Sequence, residues 1–140
     1  MKSLSILAIT FLFSSHSFSQ SLEGEWKGSF KGEEYFYDLS TPFGLHISLN
    51  KDSTYKIYSY SLFRGTDVTV VSKVACRIIG ADSIYLEETK QVKPKKEQGC
   101  PQKFFLAIKN KNGKMVLEGN WAMRDKSCGN ETGTVLLTKQ

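Results

Sequence analysis

The sequence has few of the residues from which catalytic and metal sites are built. Of its two histidines, one lies in the N-terminal apolar segment, which leaves His46 as the single histidine of the remaining chain. Its three cysteines include no Cys-x-x-Cys pair, so their spacing gives no support to a zinc site. A hydrolytic triad has no starting point, because a second histidine and a nucleophile elbow are both missing. We therefore expect no enzyme activity, no bound metal and no cofactor.

The chain also lacks an apolar run long enough to span a bilayer. The N-terminal run Leu4–Phe13 has ten residues, half the length that a membrane helix needs. Lys2 precedes it, and residues 17–19 (Ser-Phe-Ser) put small residues at the −3 and −1 positions of a cleavage site before Gln20. A buried N-terminal helix is the alternative. We expect a signal peptide over residues 1–19 and one exported domain, periplasmic or secreted, over residues 20–140.

An excess of positive charge is present, but it is mild. The formal net charge is +5, and removal of the leader, which holds one lysine and no acid, leaves +4. The densest cations are Lys90, Lys93, Lys95 and Lys96. No interleaved arginines and aromatics accompany them, so the pattern indicates a solvated loop and no nucleic-acid surface. Contact of this loop with an anionic glycan has no support from the sequence alone.

Alternation of apolar and polar residues predicts eight strands and no helix. The absence of crossover helices argues against a parallel sheet, and short connections favour successive hairpins. We expect an all-β fold, an eight-stranded antiparallel up-and-down barrel that hides its apolar face and its edges, with a two-sheet β-sandwich as the alternative. Glu33–Leu39 is a ninth strand or an ordered loop. The eight predicted strands are Glu25–Lys31, Phe43–Asn50, Thr54–Leu62, Asp67–Ile79, Ser83–Lys90, Gln102–Lys109, Lys114–Met123 and Glu131–Lys139.

The cysteines fall into two classes. Cys100 and Cys128 lie at strand ends, where a disulfide can form without distorting a ladder, and an exported protein meets an oxidising compartment. Cys76 shares a strand face with Val74 and Ile78, which is the position of a small buried hydrophobe. We predict a Cys100–Cys128 disulfide and a free, inert Cys76.

Gly24-Glu25-Trp26 resembles the Gly-x-Trp signature of the lipocalin and wider calycin superfamily. The resemblance implies an eight-stranded barrel whose base is closed by Trp26, with an arginine of the last strand over the indole. Here the last predicted strand has no arginine.

A resemblance that covers nearly the whole mature chain is to small uncharacterised exported β-proteins of Bacteroidetes-type bacteria. Its residues are the Gly-x-Trp-x-Gly strand Gly24–Gly28, the Leu-x-Gly-x-Trp strand Leu117–Trp121, Cys128, and the final strand Gly133–Leu137. It implies secretion, a barrel and a disulfide, and no activity. Residues 52–54 (Asp-Ser-Thr) and 82–84 (Asp-Ser-Ile) also resemble O-glycosylation sites of such bacteria, although both match ordinary turn chemistry.

Candidate ligand-binding residues come from the inward faces of the predicted strands. Glu88 shares a face with Ile84 and Leu86, so it either projects into the barrel, where burial raises its pKa, or lies solvated or lysine-paired at the mouth. Its neighbour Glu87 points the opposite way, so the two form no acid–base dyad. A tyrosine of the third strand is a second polar candidate. The predicted ligand-binding residues are Trp26, Phe30, Tyr58, Ile84, Glu88 and Trp121.

Two functions fit this pattern. A barrel of this size either fills its interior with side chains or keeps one small-ligand cavity. The first hypothesis is a secreted lipocalin-like binding protein for a small apolar or amphipathic ligand. The alternative is a solid barrel that presents loops, such as Tyr35–Tyr37 and Lys90–Gln98, to a protein or glycan partner. The oligomeric state is left open.

Overall fold

The computed structural model of the chain describes residues 21–32, 40–62, 66–96 and 99–140. These ranges hold eight strands and a short 3₁₀ helix, Lys126–Cys128. The expected signal peptide, residues 1–19, and the segment Glu33–Leu39 lie outside them. The strands are β1 (Gly24–Gly32), β2 (Thr41–Leu49), β3 (Tyr55–Leu62), β4 (Thr69–Ile79), β5 (Ser83–Lys93), β6 (Gln102–Lys111), β7 (Lys114–Met123) and β8 (Thr132–Lys139).

Each strand pairs antiparallel with its neighbours in sequence, and β8 pairs with β1 to close the sheet. The predicted all-β, eight-stranded up-and-down barrel is therefore confirmed, and the two-sheet sandwich is wrong. Closure leaves no edge strand in the described sheet, and β5 pairs with β6 over Ser83–Glu87.

The two ends of the barrel differ in the length of their connections. Residues 50–54, 80–82 and 112–113 form the short turns at one end, which we call the base. Asn112 and Gly113 have φ values of 53° and 79°, as a two-residue hairpin turn with matching twist requires. At the opposite end, which we call the mouth, β1, β3, β5 and β7 end and β2, β4, β6 and β8 begin, and the segments that separate these strands in sequence are longer, at 33–40, 63–68, 94–101 and 124–131.

Trp26 closes the base of the barrel. Its side chain has no exposed surface, and its Nε1 donates a 2.9 Å hydrogen bond to the carbonyl of Leu22, a buried residue just before β1. Burial of an indole requires such a partner for its N–H. Lys139, near the end of β8, places its Nζ 5.9 Å from the ring centroid. A lysine of the last strand therefore lies over the Trp26 indole.

A disulfide joins two connections at the mouth. Cys100 and Cys128 are bonded, with their Cα atoms 5.9 Å apart, which confirms the predicted pair. The bridge ties the β5–β6 connection to the β7–β8 connection. Cys76 is free and half-buried, and burial raises the pKa of its thiol. Its partner on β5 is the fully buried Leu86, so Cys76 faces the interior as expected.

Candidate functional site

The base half of the barrel is packed solid. Its interior side chains have essentially no exposed surface, so no water-sized void touches them. Two predicted ligand-binding residues, Trp26 and Ile84, belong to this half. Both residues belong to the floor of the interior, by which we mean the packed core at the base. Ile84, for example, is the second residue of β5, directly after the β4–β5 turn. The other residues of the floor are Leu45, Leu86, Leu106, Leu117 and Leu137.

An aromatic wall rises from this floor toward the mouth. Phe43 stacks on Phe104 with ring centroids 5.0 Å apart, and Phe30 meets Trp121 edge-on at 5.1 Å and Phe43 at 5.7 Å. Trp121 is 3% exposed, and its Nε1 donates a 2.8 Å hydrogen bond to the carbonyl of Lys31. The inward placement of both tryptophans is therefore confirmed. Phe30 is the half-buried member, so it offers the wall's accessible surface.

Glu88 stands inside the barrel on β5, two residues beyond Leu86, the strand partner of Phe104. It is 9% exposed, and its oxygens accept two hydrogen bonds. Ser59 Oγ donates to Oε1 at 2.6 Å, and the backbone N–H of Gln102 donates to Oε2 at 3.0 Å. Of the two placements that the sequence left open, the interior one is correct. The solvated or lysine-paired placement is wrong.

Burial dominates the electrostatics of this carboxyl. Desolvation raises the pKa of Glu88 above its ordinary value, and the bonds from Ser59 and Gln102, with the nearby Arg124 guanidinium, oppose part of that rise. Arg124 contacts the backbone of Glu88 and not its carboxylate, because its Nη1 donates a 2.8 Å hydrogen bond to the Glu88 carbonyl. Within the described part of the chain, the group is therefore a buried acid with local hydrogen bonds and no direct counter-ion.

A polar wall surrounds Glu88 on β3, β4 and β5. Ser59 and Ser72 are strand partners, and both are buried. After Glu88, a register shift between β4 and β5 reverses which residues of β5 point inward. Gln91 therefore lies opposite Ser72 on the inner side of the sheet. Lys90 lies opposite Lys73 on the outer side. The mouth half of the barrel thus has an aromatic wall on one side and a polar wall on the other.

The structure brings Phe30, Glu88 and Trp121 together in the mouth half and leaves Tyr58 apart. Ile57 and Ser59 point inward, so the intervening Tyr58 lies on the outer surface, with Lys56 Nζ 5.5 Å from its ring centroid. The expected placement of Tyr58 inside the barrel is wrong. Strand β3 carries polar and aromatic residues on both faces, so hydrophobicity alone did not define its inner side.

His46 also belongs to the outer surface. Its side chain is 51% exposed and its Nδ1 contacts a carboxylate oxygen of Glu25, its strand partner. Tyr60 completes the group by donating a 3.3 Å hydrogen bond to the other Glu25 oxygen. Among the residues that the structure describes, no three His, Cys, Asp or Glu side chains lie close enough to hold a metal ion.

The two segments that resemble O-glycosylation sites, residues 52–54 and 82–84, lie at ordinary turns. Asp52 Oδ1 accepts hydrogen bonds from the backbone N–H and the hydroxyl of Thr54, at 3.1 and 2.6 Å. Ser83 Oγ donates to Asp82 Oδ1 at 3.3 Å. Both contacts are the local side-chain bonds that stabilise tight turns.

No helix within the described ranges is long and apolar enough to cross a membrane.

A wide, shallow depression of about 360 Å³ lies on the surface at the base. It opens to solvent beside the last strand, and the core residue Met115 is part of its lining. Its lining residues are Ser21, Gly113, Lys114, Met115, Lys139 and Gln140.

Sequence reasoning missed the partners of Glu88. Ser59 and Ser72 are small polar residues whose inward orientation depends on strand register, and the Gln102 contact comes from a backbone N–H. The inward parity of Ile57 was the one signal that could have identified Ser59 as an interior hydroxyl.

Comparisons with known protein families, with curated proteins and with solved structures found no match.

Proposed function

We propose that this protein is an exported, non-catalytic binding protein that holds a small amphipathic ligand in the mouth half of its barrel. The observation that carries the proposal is the buried carboxyl of Glu88 beside an aromatic cluster. Desolvation of a carboxylate is costly, and an apolar residue at this position would extend the core without that cost. A polar group kept in an apolar interior is a functional candidate for this reason.

The two hydrogen bonds to Glu88 leave part of its capacity for a ligand. An ionised carboxylate offers about four acceptor sites, of which Ser59 and Gln102 occupy two. A ligand hydroxyl or amine would take a remaining site, and its apolar body would lie against Phe30 and Trp121. Trp26 and Ile84 would support the floor without touching the ligand.

Two further features support this proposal. An eight-stranded barrel is wide enough for one small ligand, and the Gly-x-Trp resemblance to lipocalins points the same way, by analogy of architecture alone. The disulfide favours an oxidising compartment outside the cytoplasm, as export through the proposed signal peptide would provide.

The test is binding of an apolar fluorescent probe, together with mass spectrometry of compounds that co-purify with the protein. We expect about one probe per folded chain. Ser61→Trp should displace it, because Ser61 is a half-buried strand partner of Phe43 near the mouth. Lys56→Trp, on the outer side of the same strand, is the matched control and should bind normally.

A second candidate, the solid interaction module, is favoured by the packed base half. Of the loops assigned to it, Tyr35–Tyr37 and residues 97–98 lie outside the described residues. The loop placement of Lys90 and Lys93 is wrong, because both belong to β5, where they are exposed near the mouth. Folded protein that binds no probe and carries no compound would reject the ligand proposal and favour this module.

A further inference from the structure

The outer surface of β4, β5 and β6 is rich in positive charge. Side chains alternate between the two faces of a strand, so the strand partners and neighbours of buried residues show which side chains point outward. The cations on this outer side are Lys73 and Arg77 of β4, Lys90 of β5 and Lys103 of β6. Within the described part of these strands, Glu87 is the one carboxylate that shares it. Lys109 and Lys111, further along β6, are already paired with Glu118 of β7 at 2.9 and 3.0 Å.

An aromatic pair lies next to Arg77, and Glu87, the strand partner of Lys103, lies between this pair and Lys90 along β5. Tyr85 and Phe105 are strand partners with ring centroids 4.8 Å apart, tilted by 49°. Arg77 covers the tyrosine ring at 5.0 Å, whereas Phe105 is 51% exposed. We call Lys73, Arg77, Tyr85, Lys90, Lys103 and Phe105 the basic aromatic face.

The register of β4 and β5 sets two like charges side by side. Lys73 and Lys90 are direct strand partners, both exposed, and the neighbour of Lys73 on β3 is Tyr58. Like charges directly opposite each other on a sheet reduce stability. The pair therefore has no explanation in the stability of the barrel, and its natural complement is an anion that bridges the two ammonium groups.

We propose that the basic aromatic face binds an acidic polysaccharide. The C–H groups of a sugar ring would pack on the exposed ring of Phe105, whose face carries partial negative charge. Carboxylate or sulfate groups of adjacent sugars would pair with Lys73, Lys90 and Arg77, the last with the fork geometry of a guanidinium. The face spans three strands, about 10 Å across, which suits a short stretch of polymer.

Two observations favour a polysaccharide over a nucleic acid. A single strand of nucleic acid stacks successive bases on a series of aromatic side chains, and this face has one exposed ring because Arg77 covers Tyr85. The Cys100–Cys128 disulfide also favours the oxidising compartment proposed above, in which an exported protein would meet surface polysaccharides. The proposal is independent of the interior ligand, since Glu88 and this face lie on opposite sides of the sheet.

The test compares binding of the mature protein to sodium polygalacturonate, heparin, neutral dextran, a single-stranded oligonucleotide and phosphatidylglycerol vesicles. Biolayer interferometry at two salt concentrations measures each affinity. We expect binding to at least one acidic polysaccharide, weakened by salt, and none to dextran. The double variant K73Q/K90Q should bind about fivefold more weakly, given typical energies of exposed charge pairs. Phe105→Ser should weaken binding without changing its salt dependence.

The double variant K27Q/K31Q is the matched control, because it removes the same charge from exposed positions of β1, on the far side of the eight-stranded ring. It should retain wild-type affinity. The melting temperature of K73Q/K90Q should equal or exceed that of the wild type, which separates lost binding from lost folding. Equal losses in both double variants, no binding to either acidic polysaccharide, or tighter binding to the oligonucleotide or the vesicles would each overturn the proposal.

Discussion

Ser59 on β3 and Glu88 on β5 are joined by a 2.6 Å hydrogen bond that passes over β4 inside the barrel. The strand between them contributes Ser72, the partner of Ser59, so three strands meet in one polar group. The bond holds the carboxyl away from solvent and within reach of the aromatic wall. Glu88 is in this way positioned by the fold itself.

Glu88 should make the stability of the barrel fall as pH rises. Burial raises its folded-state pKa, so its contribution is fully present below the pKa of an unfolded glutamate, about 4.3, and is lost as pH rises through the raised value. The free energy of unfolding of wild type minus that of Glu88→Gln should therefore decline across this window. Urea unfolding at a series of pH values measures it.

Glu118→Gln is the control for this experiment, because it should show the opposite sign. The hydrogen bonds from Lys109 and Lys111 lower the pKa of Glu118, so its contribution is present at neutral pH and lost as pH falls. Since Glu118 is partly exposed to solvent, its effect should be small. Parallel pH profiles for wild type and Glu88→Gln would show that Glu88 is hydrated in solution.

The two tryptophans should be about equally important to stability. Each is a buried indole with its N–H bonded to a backbone carbonyl, Trp26 to Leu22 and Trp121 to Lys31. Replacement of either by Ala should reduce the free energy of unfolding by roughly 3–5 kcal/mol. Replacement by Phe should cost less, because most of the apolar surface stays buried. Its cost of about 1–3 kcal/mol measures the loss of the hydrogen bond to the backbone carbonyl, which is left unpaired. Denaturation by urea gives both values, and a loss below 1 kcal/mol for either Ala variant would contradict the buried placement.

The sequence predicted most of the fold because its strands alternate clearly. Trp26 and Phe30 share the inner side of β1, and Leu45 and Ile47 share that of β2, so parity alone oriented them correctly. Parity also placed Glu88 on the face of Ile84 and Leu86. The prediction of the closed barrel followed from strand number, short turns and missing crossovers.

The failures have two physical causes. Tyr58 was misplaced because tyrosine has strand propensity on either face, and the smaller Ser59 fills the interior position beside it. Beyond Glu88, the bulged register with β4 reverses the alternation, so Lys90 turns outward and Gln91 inward. A bulge leaves no mark in the hydrophobic pattern of such a polar segment, so the charged pair Lys73–Lys90 could not be derived from sequence.

The disulfide should contribute substantially to stability at the mouth. Cys100 and Cys128 are 28 residues apart in sequence, and a loop of this length is worth roughly 3–4 kcal/mol in the chain-entropy model. The double variant C100A/C128A should lose about this much free energy of unfolding while it keeps its far-ultraviolet circular dichroism. Cys76→Ala, which removes the free cysteine, should change little. A peptide map that links Cys76 to either partner would contradict the assignment.

Gly28 should tolerate no side chain, which explains the second glycine of the Gly-x-Trp-x-Gly strand. A Cβ atom at this position would lie 1.9 Å from the backbone oxygen of Leu136 on β8, whereas one at Gly32 of the same strand would meet nothing within 4 Å. A backbone oxygen within a ladder cannot move without breaking the closure of the barrel between β8 and β1. Gly28→Ala should therefore cost about 1–3 kcal/mol, and the matched Gly32→Ala less than about 0.5 kcal/mol. Thermal unfolding of both variants measures the difference, and equal melting temperatures would show that β1 and β8 are further apart than described.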